Sequence, residues 1–473
     1  MRRACLAAAA ASTVALAAVG GSVLTGAGSA GPATSAKAAS PVILLHPGVV
    51  HPVMAPSASP PTTAQCESKF KIACYQPAQL EQAYGLPELY RHGITGAGQT
   101  IVIVDSFGSP TIRYDLAVFD KTFHLAAPPS LKIIQPAGKV PPYNPKSGMP
   151  GWAGETDLDV EYSHAIAPDA NILLVETPVS ENEGTSGFPQ IERAEEYVVN
   201  HHLGGVISQS FSATEQSFPS AQSLLRLRRA YQDAARNHVT VLAAAGDSGA
   251  ADVGPNGSTY YLHPVTSWPD SDPLVTGVGG TQLHLNATGG HTAPDNVWND
   301  TYNVATQRFI FGHKGANALA GGGGKSIIFA RPGYQDGVAQ LVGRQRGVPD
   351  ISMSGACNGA VDMYQSFAGQ RPGWYQTCGT SEATPEMAGM VALADQVAGH
   401  PIGLINPALY ALSAAHAPGI VDITKGNNTV SFPQGGKQHT VHGFRALPGY
   451  DLASGVGTIY APDFVPELAR LAG

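Results

Sequence analysis

Six short runs of this chain are largely apolar on both of their faces: Thr100–Val104, Ala170–Val175, Gly205–Ser208, Val239–Ala244, Leu274–Val278 and Val348–Met353. A strand sends alternate side chains to opposite faces, so a run of this kind must be covered on both. Stretches with helical spacing lie among them, at Gly154–Ala165, Gln190–His201, Gln222–Asn237 and Thr384–Ala398. The alternation predicts an α/β domain with a mostly parallel central sheet flanked by helices. The 473 residues suffice for one large domain of this kind or two of medium size. Residues 286–324, rich in Gly, Asn and Thr, read as an irregular excursion. Reactive groups in such sheets gather beyond the carboxyl ends of the strands. Two carboxylates stand there: Asp105 and, in Ala245-Gly246-Asp247-Ser248-Gly249, Asp247.

The N-terminus carries the marks of export. Arg2 and Arg3 precede an Ala/Val/Leu-rich stretch from Cys5 to Leu24, and Ala36-Lys37-Ala38 suits cleavage. Residues 1–39 therefore read as a signal peptide and the product as secreted. No later apolar run is long enough to span a bilayer, so no stable membrane association is expected after cleavage. Residues 40–76, rich in Pro, Ala and Ser as far as Thr63, read as a leader or linker, and the globular pattern runs over 77–473. Four cysteines remain once Cys5 is removed. Local pairing gives Cys66–Cys74 and Cys357–Cys378, although three connectivities are open. A net charge of −8 with only 13% charged residues offers no basic run for nucleic acid, and Arg226, Arg228 and Arg229 read as one solvated helix face.

Chemistry concentrates in Gly379-Thr380-Ser381-Glu382-Ala383-Thr384-Pro385, a Gly-Thr-Ser-x-x-x-Pro pattern ahead of an apolar helix. A serine between a glycine turn and a helix N-terminus has backbone N–H groups beside it to receive an oxyanion, although an ordinary cap fits the same residues. A nucleophilic serine needs a base. His92 precedes the first core strand and His164 falls late in a helix, and neither begins a His-Gly-Thr helix start. Glu155 and Asp159 are four residues apart and share one helix face, although a solvated acidic helix start has the same pattern. The glycines at 321–324 before Lys325-Ser326 are no phosphate loop, since the first glycine of that motif would fall on Leu319. A loop bordering a substrate groove is expected there.

Joined in order, these motifs resemble the sedolisin (serine-carboxyl peptidase) family. So do Asp105-Ser106-Phe107-Gly108-Ser109-Pro110, the run Trp268–Thr281, Arg346–Ser352 and Asn406–Tyr410. The resemblance extends from Pro77 to the C-terminus. It implies a subtilisin-like α/β fold, a single catalytic domain, and an endopeptidase that cleaves proteins or peptides through an acyl-enzyme, although the family also contains enzymes that trim tripeptides from N-termini. With the signal, a secreted monomer is expected. Carried over by motif, Ser381 is the nucleophile, Glu155 the general base, Asp159 its orienting partner and Asp247 the oxyanion-hole residue. Glutamate can accept the serine proton at acid pH, where an imidazole is already protonated. Asp247 can donate to an oxyanion only while protonated, so a maximum below neutral pH is expected.

The resemblance further implies one structural calcium ion at the C-terminal end. Its ligands would be the carboxylates of Asp422 and Asp451 and the carbonyls of Ile423, Leu447 and Gly449, with a water completing six hard oxygens. Leu447 stands where the family commonly has glycine, which matters only if the backbone there needs a positive φ. About forty residues separate the signal from Pro77, too few for the family's long prodomain. Two competing readings are weighed. A subtilisin-type triad on Asp105 lacks its histidine. A catalytically silent peptide-binding or surface protein on the same fold has no need of all four catalytic residue types.

Overall fold

The computed structural model of this protein describes residues 55–181 and 184–472, so the expected signal peptide lies outside the described residues. The central sheet holds β1 (Thr100–Ser106), β2 (Leu131–Ile134), β3 (Asn171–Thr177), β4 (Val206–Gln209), β5 (Thr240–Ala244), β6 (Thr276–Gln282), β7 (Asn296–Val297) and β8 (Ile351–Ser354). The order is β7-β6-β5-β4-β1-β3-β2, with β8 also paired to β6. Only the short β7 runs antiparallel to its neighbour. Both faces are covered, as the doubly apolar strands require. Ile101 and Ile103 pack on one side with Leu158, Met387 and Met390. Val102 and Val104 pack on the other with Ile191, Val198 and Tyr231.

The helices that matter here are α1 (Ile112–Phe123), α2 (Met149–Ile166), α3 (Phe188–Asn200), α4 (Ala221–Leu225), α5 (Arg229–Arg236) and α6 (Thr380–Ala398). Two of them lie inside the protein. Every residue of α2 from Trp152 to Ile166 and of α6 from Thr380 to Asp395 is buried. They pack side by side and run in the same direction. The charges of Glu382 and Glu386 act on Tyr162 of α2, and one turn further on Ile166 meets Gly389, where a Cβ would lie 2.6 Å from the Ile166 side chain. The N-terminal halves of α2 and α6, with Glu155 and Ser381, therefore share one end of the pair.

Several expectations need correction. The single helix expected over 222–237 is two, because the chain breaks at Arg226–Arg228. Arg228 turns inward there, donates to Asp272 Oδ1 at 2.8 Å and covers the Phe329 ring, so the three arginines are not one solvated face. Val348–Met353 is not one strand. Gln345–Val348 pairs with Gly324–Ala330, and β8 begins only after Pro349, which has no N–H to donate. The described part of the 40–76 leader is folded. Thr62 and Gln65 form a reciprocal capping box that starts a helix at Thr63–Phe70, and Cys74–Tyr75 pairs in parallel with Ala360–Val361. Both locally paired disulfides are present, Cys66–Cys74 and Cys357–Cys378. Among the described residues no helix is long and apolar enough to cross a membrane.

Candidate active site

Ser381 is the second residue of α6 and is fully buried. Gly379 precedes the helix with φ of 128°, a conformation an L-residue with a side chain rarely adopts, and a Cβ there would stand 2.7 Å from Asp247 Oδ2. Asp247 follows β5 and is fastened to the serine turn. Its Oδ1 accepts the Thr380 backbone N–H at 2.7 Å and the Thr380 hydroxyl at 2.9 Å. The same hydroxyl accepts the Gly246 N–H at 3.1 Å, which leaves its own proton for Asp247. From the other side the glycine run closes in. Ala320 N–H donates to the Asp247 carbonyl at 2.9 Å and Gly322 N–H to the Gly246 carbonyl at 2.7 Å. A Cβ on Gly322 would fall 1.8 Å from the Ala245 carbonyl oxygen. These glycines serve the backbone approach that frames Asp247.

The carboxylates of α2 are not a solvated helix start. Glu155 is 1% exposed, and Asp157, Asp159 and Glu161 are wholly buried. Asp159 Oδ1 accepts the Ser210 hydroxyl at 2.9 Å. Burial holds the Asp159 carboxyl well above the usual carboxylate range, and the charges of Asp105 and Glu155 push it the same way. Asp105, at the end of β1, is pushed up to about 7 by burial, against the opposing Thr156 hydroxyl and with the help of the Glu176 charge. Glu155, Asp159 and Asp105 thus form one buried acidic group on the side of α2 that faces β1. A subtilisin-type triad finds no support in this arrangement. His164, the fully buried histidine among the described residues, is held at the far end of α2 by the Ala126 carbonyl at 2.9 Å and Asp120 at 3.3 Å. Ser381 Oγ makes no hydrogen bond to a described residue. Thr380 and Ser210 are the members that sequence reasoning missed. Thr380 stands inside the Gly-Thr-Ser pattern, whereas nothing around Ser210 marks it.

The two halves of the expected calcium site also meet. Asp422 accepts the Gly449 N–H and Asp451 the Leu447 N–H, each at 2.9 Å. Asp451 further accepts the Ala453 and Ser454 N–H groups at 2.8 and 2.9 Å. Neither carboxylate takes part in an ion pair among the described residues. Leu447 is not among the residues with positive φ, so its side chain does not conflict with a carbonyl role. The two carboxylates lack a cation partner among the described residues and are hard oxygen donors of the type a hard cation takes, with loop N–H groups and the Ser454 hydroxyl as their present partners.

Comparison with known proteins gives these elements a lineage. Residues 147–407 match the model of the subtilase family. The chain is 31% identical to kumamolisin of Bacillus sp. over 81% of its own length and 62% of that protein's. It is 27% identical to sedolisin of Pseudomonas sp. over 77% and 57%.

The chain belongs to the subtilase family, in its sedolisin branch.

Tripeptidyl-peptidase 1 of Homo sapiens is a further relative, 27% identical over 68% of this chain and 52% of its own. A solved structure of Pseudomonas sedolisin, a serine-carboxyl proteinase in complex with pseudo-iodotyrostatin, superposes with a TM-score of 0.68. It covers 85% of this chain and all of the other at 23% identity, a likeness of fold. This sedolisin-family chain spans about six-tenths of the length of the first two curated relatives.

Proposed function

We propose that this chain is a secreted serine-carboxyl peptidase that hydrolyses peptide bonds at acid pH through an acyl-enzyme on Ser381. The observation that carries the reading is the Thr380 clamp on Asp247, which fixes a carboxyl group beside a buried serine at a helix N-terminus. In the proposed cycle Ser381 Oγ attacks the scissile carbonyl carbon while its proton passes to Glu155. Asp247, protonated, donates to the carbonyl oxygen as it gains charge. Collapse breaks the C–N bond, and Glu155 returns the proton to the departing amine. Water then repeats the sequence on the ester, with Glu155 taking its proton and Ser381 leaving. Asp159, held by Ser210, orients Glu155, and the pair titrates as a unit.

The proposal includes a calcium ion held by the carboxylates of Asp422 and Asp451 and the carbonyls of Ile423, Leu447 and Gly449. Bound there, it would tie the 447–451 loop to the 422–423 segment and take no part in the chemistry.

The test is cleavage of a mixed peptide library from acid to mildly alkaline pH by wild type, Ser381→Ala and Glu155→Ala. We expect a maximum below neutral pH and a loss of at least about a thousandfold in both variants. Cleavage by Ser381→Ala would overturn the nucleophile assignment, and an alkaline maximum would overturn the carboxylate base. The products also distinguish internal cleavage from removal of N-terminal tripeptides, since the relatives include tripeptidyl-peptidases.

A further inference from the structure

The nucleophile helix carries two glutamates that the proposed cycle does not use. Glu382 directly follows Ser381 and Glu386 lies one turn further along α6, so the two share a helix face. Both are fully buried. Glu382 occupies the third helical position, where an acid commonly reaches back to cap the helix start. It does not do so here, because the Gly379 N–H is already donated to the Gly355 carbonyl at 2.9 Å. None of the four carboxyl oxygens meets a hydrogen-bond partner of good geometry among the described residues.

Among the described residues neither glutamate takes part in an ion pair. The Ser354 side chain and the Asp247 carboxyl face Glu382 from β8 and from the end of β5. Glu382 itself and the Tyr84 hydroxyl face Glu386. Tyr84 accepts the Ser354 N–H at 2.7 Å, so its own proton is free for Glu386. The charges of both glutamates act on Tyr162 of α2, as do those of Glu161 and Asp362, and Asp295 acts on Tyr84. The charged groups in this set are all acids. A helix N-terminus favours an anion by a factor of about two to five, whereas full burial disfavours one by several orders of magnitude, so burial wins and both carboxyls rise well above the ordinary glutamate range.

We propose that Glu382 and Glu386 are positioning residues for Ser381: a pair of buried carboxyls that keeps the first turns of α6 ordered only while both are protonated. The inference rests on Ser381 being the nucleophile for its consequence in catalysis, though not for its effect on the helix. The sign follows from linkage. In the unfolded chain both glutamates lose their protons near pH 4.5, whereas the folded chain retains them to higher pH. The folding equilibrium therefore falls by up to about tenfold per pH unit for each retained proton. Ionisation of one member places an anion without a cation partner beside Asp247 and Ser381. Activity then declines at its upper pH limit through the helix as well as through the catalytic acids.

The experiment compares the full chain with Glu382→Gln/Glu386→Gln and with the apolar Glu382→Ala/Glu386→Leu, so that failure of one variant to fold leaves the other. Melting temperature, amide exchange over 380–390 and peptide cleavage are followed from about pH 3 to about pH 8. We expect wild type to lose melting temperature and 380–390 protection as pH rises above about 4.5. In the variants both losses should move up by about one pH unit or more, with cleavage at acid pH kept within about threefold. Superimposable pH dependences of melting and exchange would overturn the proposal, as would a melting shift that leaves protection of 380–390 unchanged. A wild type that never cleaves peptide would refute the functional reading instead, while melting and exchange still decide this one.

Discussion

Replacing Thr380 by valine keeps the shape of the side chain and removes one hydroxyl. In the structure that hydroxyl serves two buried groups. It donates to Asp247 Oδ1 at 2.9 Å and accepts the Gly246 N–H at 3.1 Å. The first bond, to a carboxyl group, contributes about 1–2 kcal/mol. The second loss leaves a buried backbone N–H without that partner, which costs about 1–3 kcal/mol. Thr380→Val should therefore lower unfolding free energy by about 2–5 kcal/mol. A Thr380→Ser control, which restores the hydroxyl, should recover most of it. The Thr380 backbone N–H would still hold Asp247. If the clamp aims Asp247 at an oxyanion, the valine variant should also lose about ten- to a hundredfold in kcat with KM little changed, the signature of an interaction made in the transition state. Urea unfolding at acid pH and steady-state peptide cleavage supply the two numbers. A stability loss under about 0.5 kcal/mol together with unchanged kcat would refute the clamp.

Three further expectations follow from single distances or charges. Gly322→Ala puts a Cβ 1.8 Å from the Ala245 carbonyl oxygen, so the chain must shift; a loss above about 3 kcal/mol and of most cleavage is expected by urea unfolding and peptide assay. Asp105 is neutral in the folded chain until about pH 7 but ionises near 3.8 when unfolded, so its stabilising contribution is present below about pH 4 and is lost as pH rises through about 7. Asp105→Asn should remove up to about 4 kcal/mol of the stability difference between pH 4 and pH 8 in chemical unfolding, and an unchanged slope would count against its burial. Chelation of calcium should lower the melting temperature of wild type but not of Asp422→Ala, with about 2.7 kcal/mol at stake when the free ion is a hundredfold above its Kd; no metal on elemental analysis, with no chelator effect, would remove the site.

The sheet was legible because its strands are apolar on both faces, and five of the six expected runs match single strands to within a few residues. The sixth was misread at Pro349, where apolar character continues through a residue that cannot donate to a ladder. The break between Ala221–Leu225 and Arg229–Arg236 was hidden for a different reason. Arg228 reads as a surface charge until Asp272 and Phe329, more than forty residues away, give it a buried partner. Composition likewise made a leader of 40–76, while the capping box at Thr62 and the pairing of Cys74 depend on partners that only the fold supplies.

By itself the sequence determined the doubly covered α/β domain, the position of Ser381 at a helix start, and the resemblance that gathered Glu155, Asp159 and Asp247. Local chemistry fixes each of these: strand and helix periodicity, glycine before a helix, ordered motifs. Tertiary structure decided that the acids of α2 and α6 lie inside the protein, away from water. It also decided that Thr380 binds Asp247 and that Ser210 binds Asp159. A helix pattern records which residues share a face, but not whether that face meets solvent or another helix. That choice is made by neighbours distant in sequence, and here it turns ordinary surface acids into groups that hold protons.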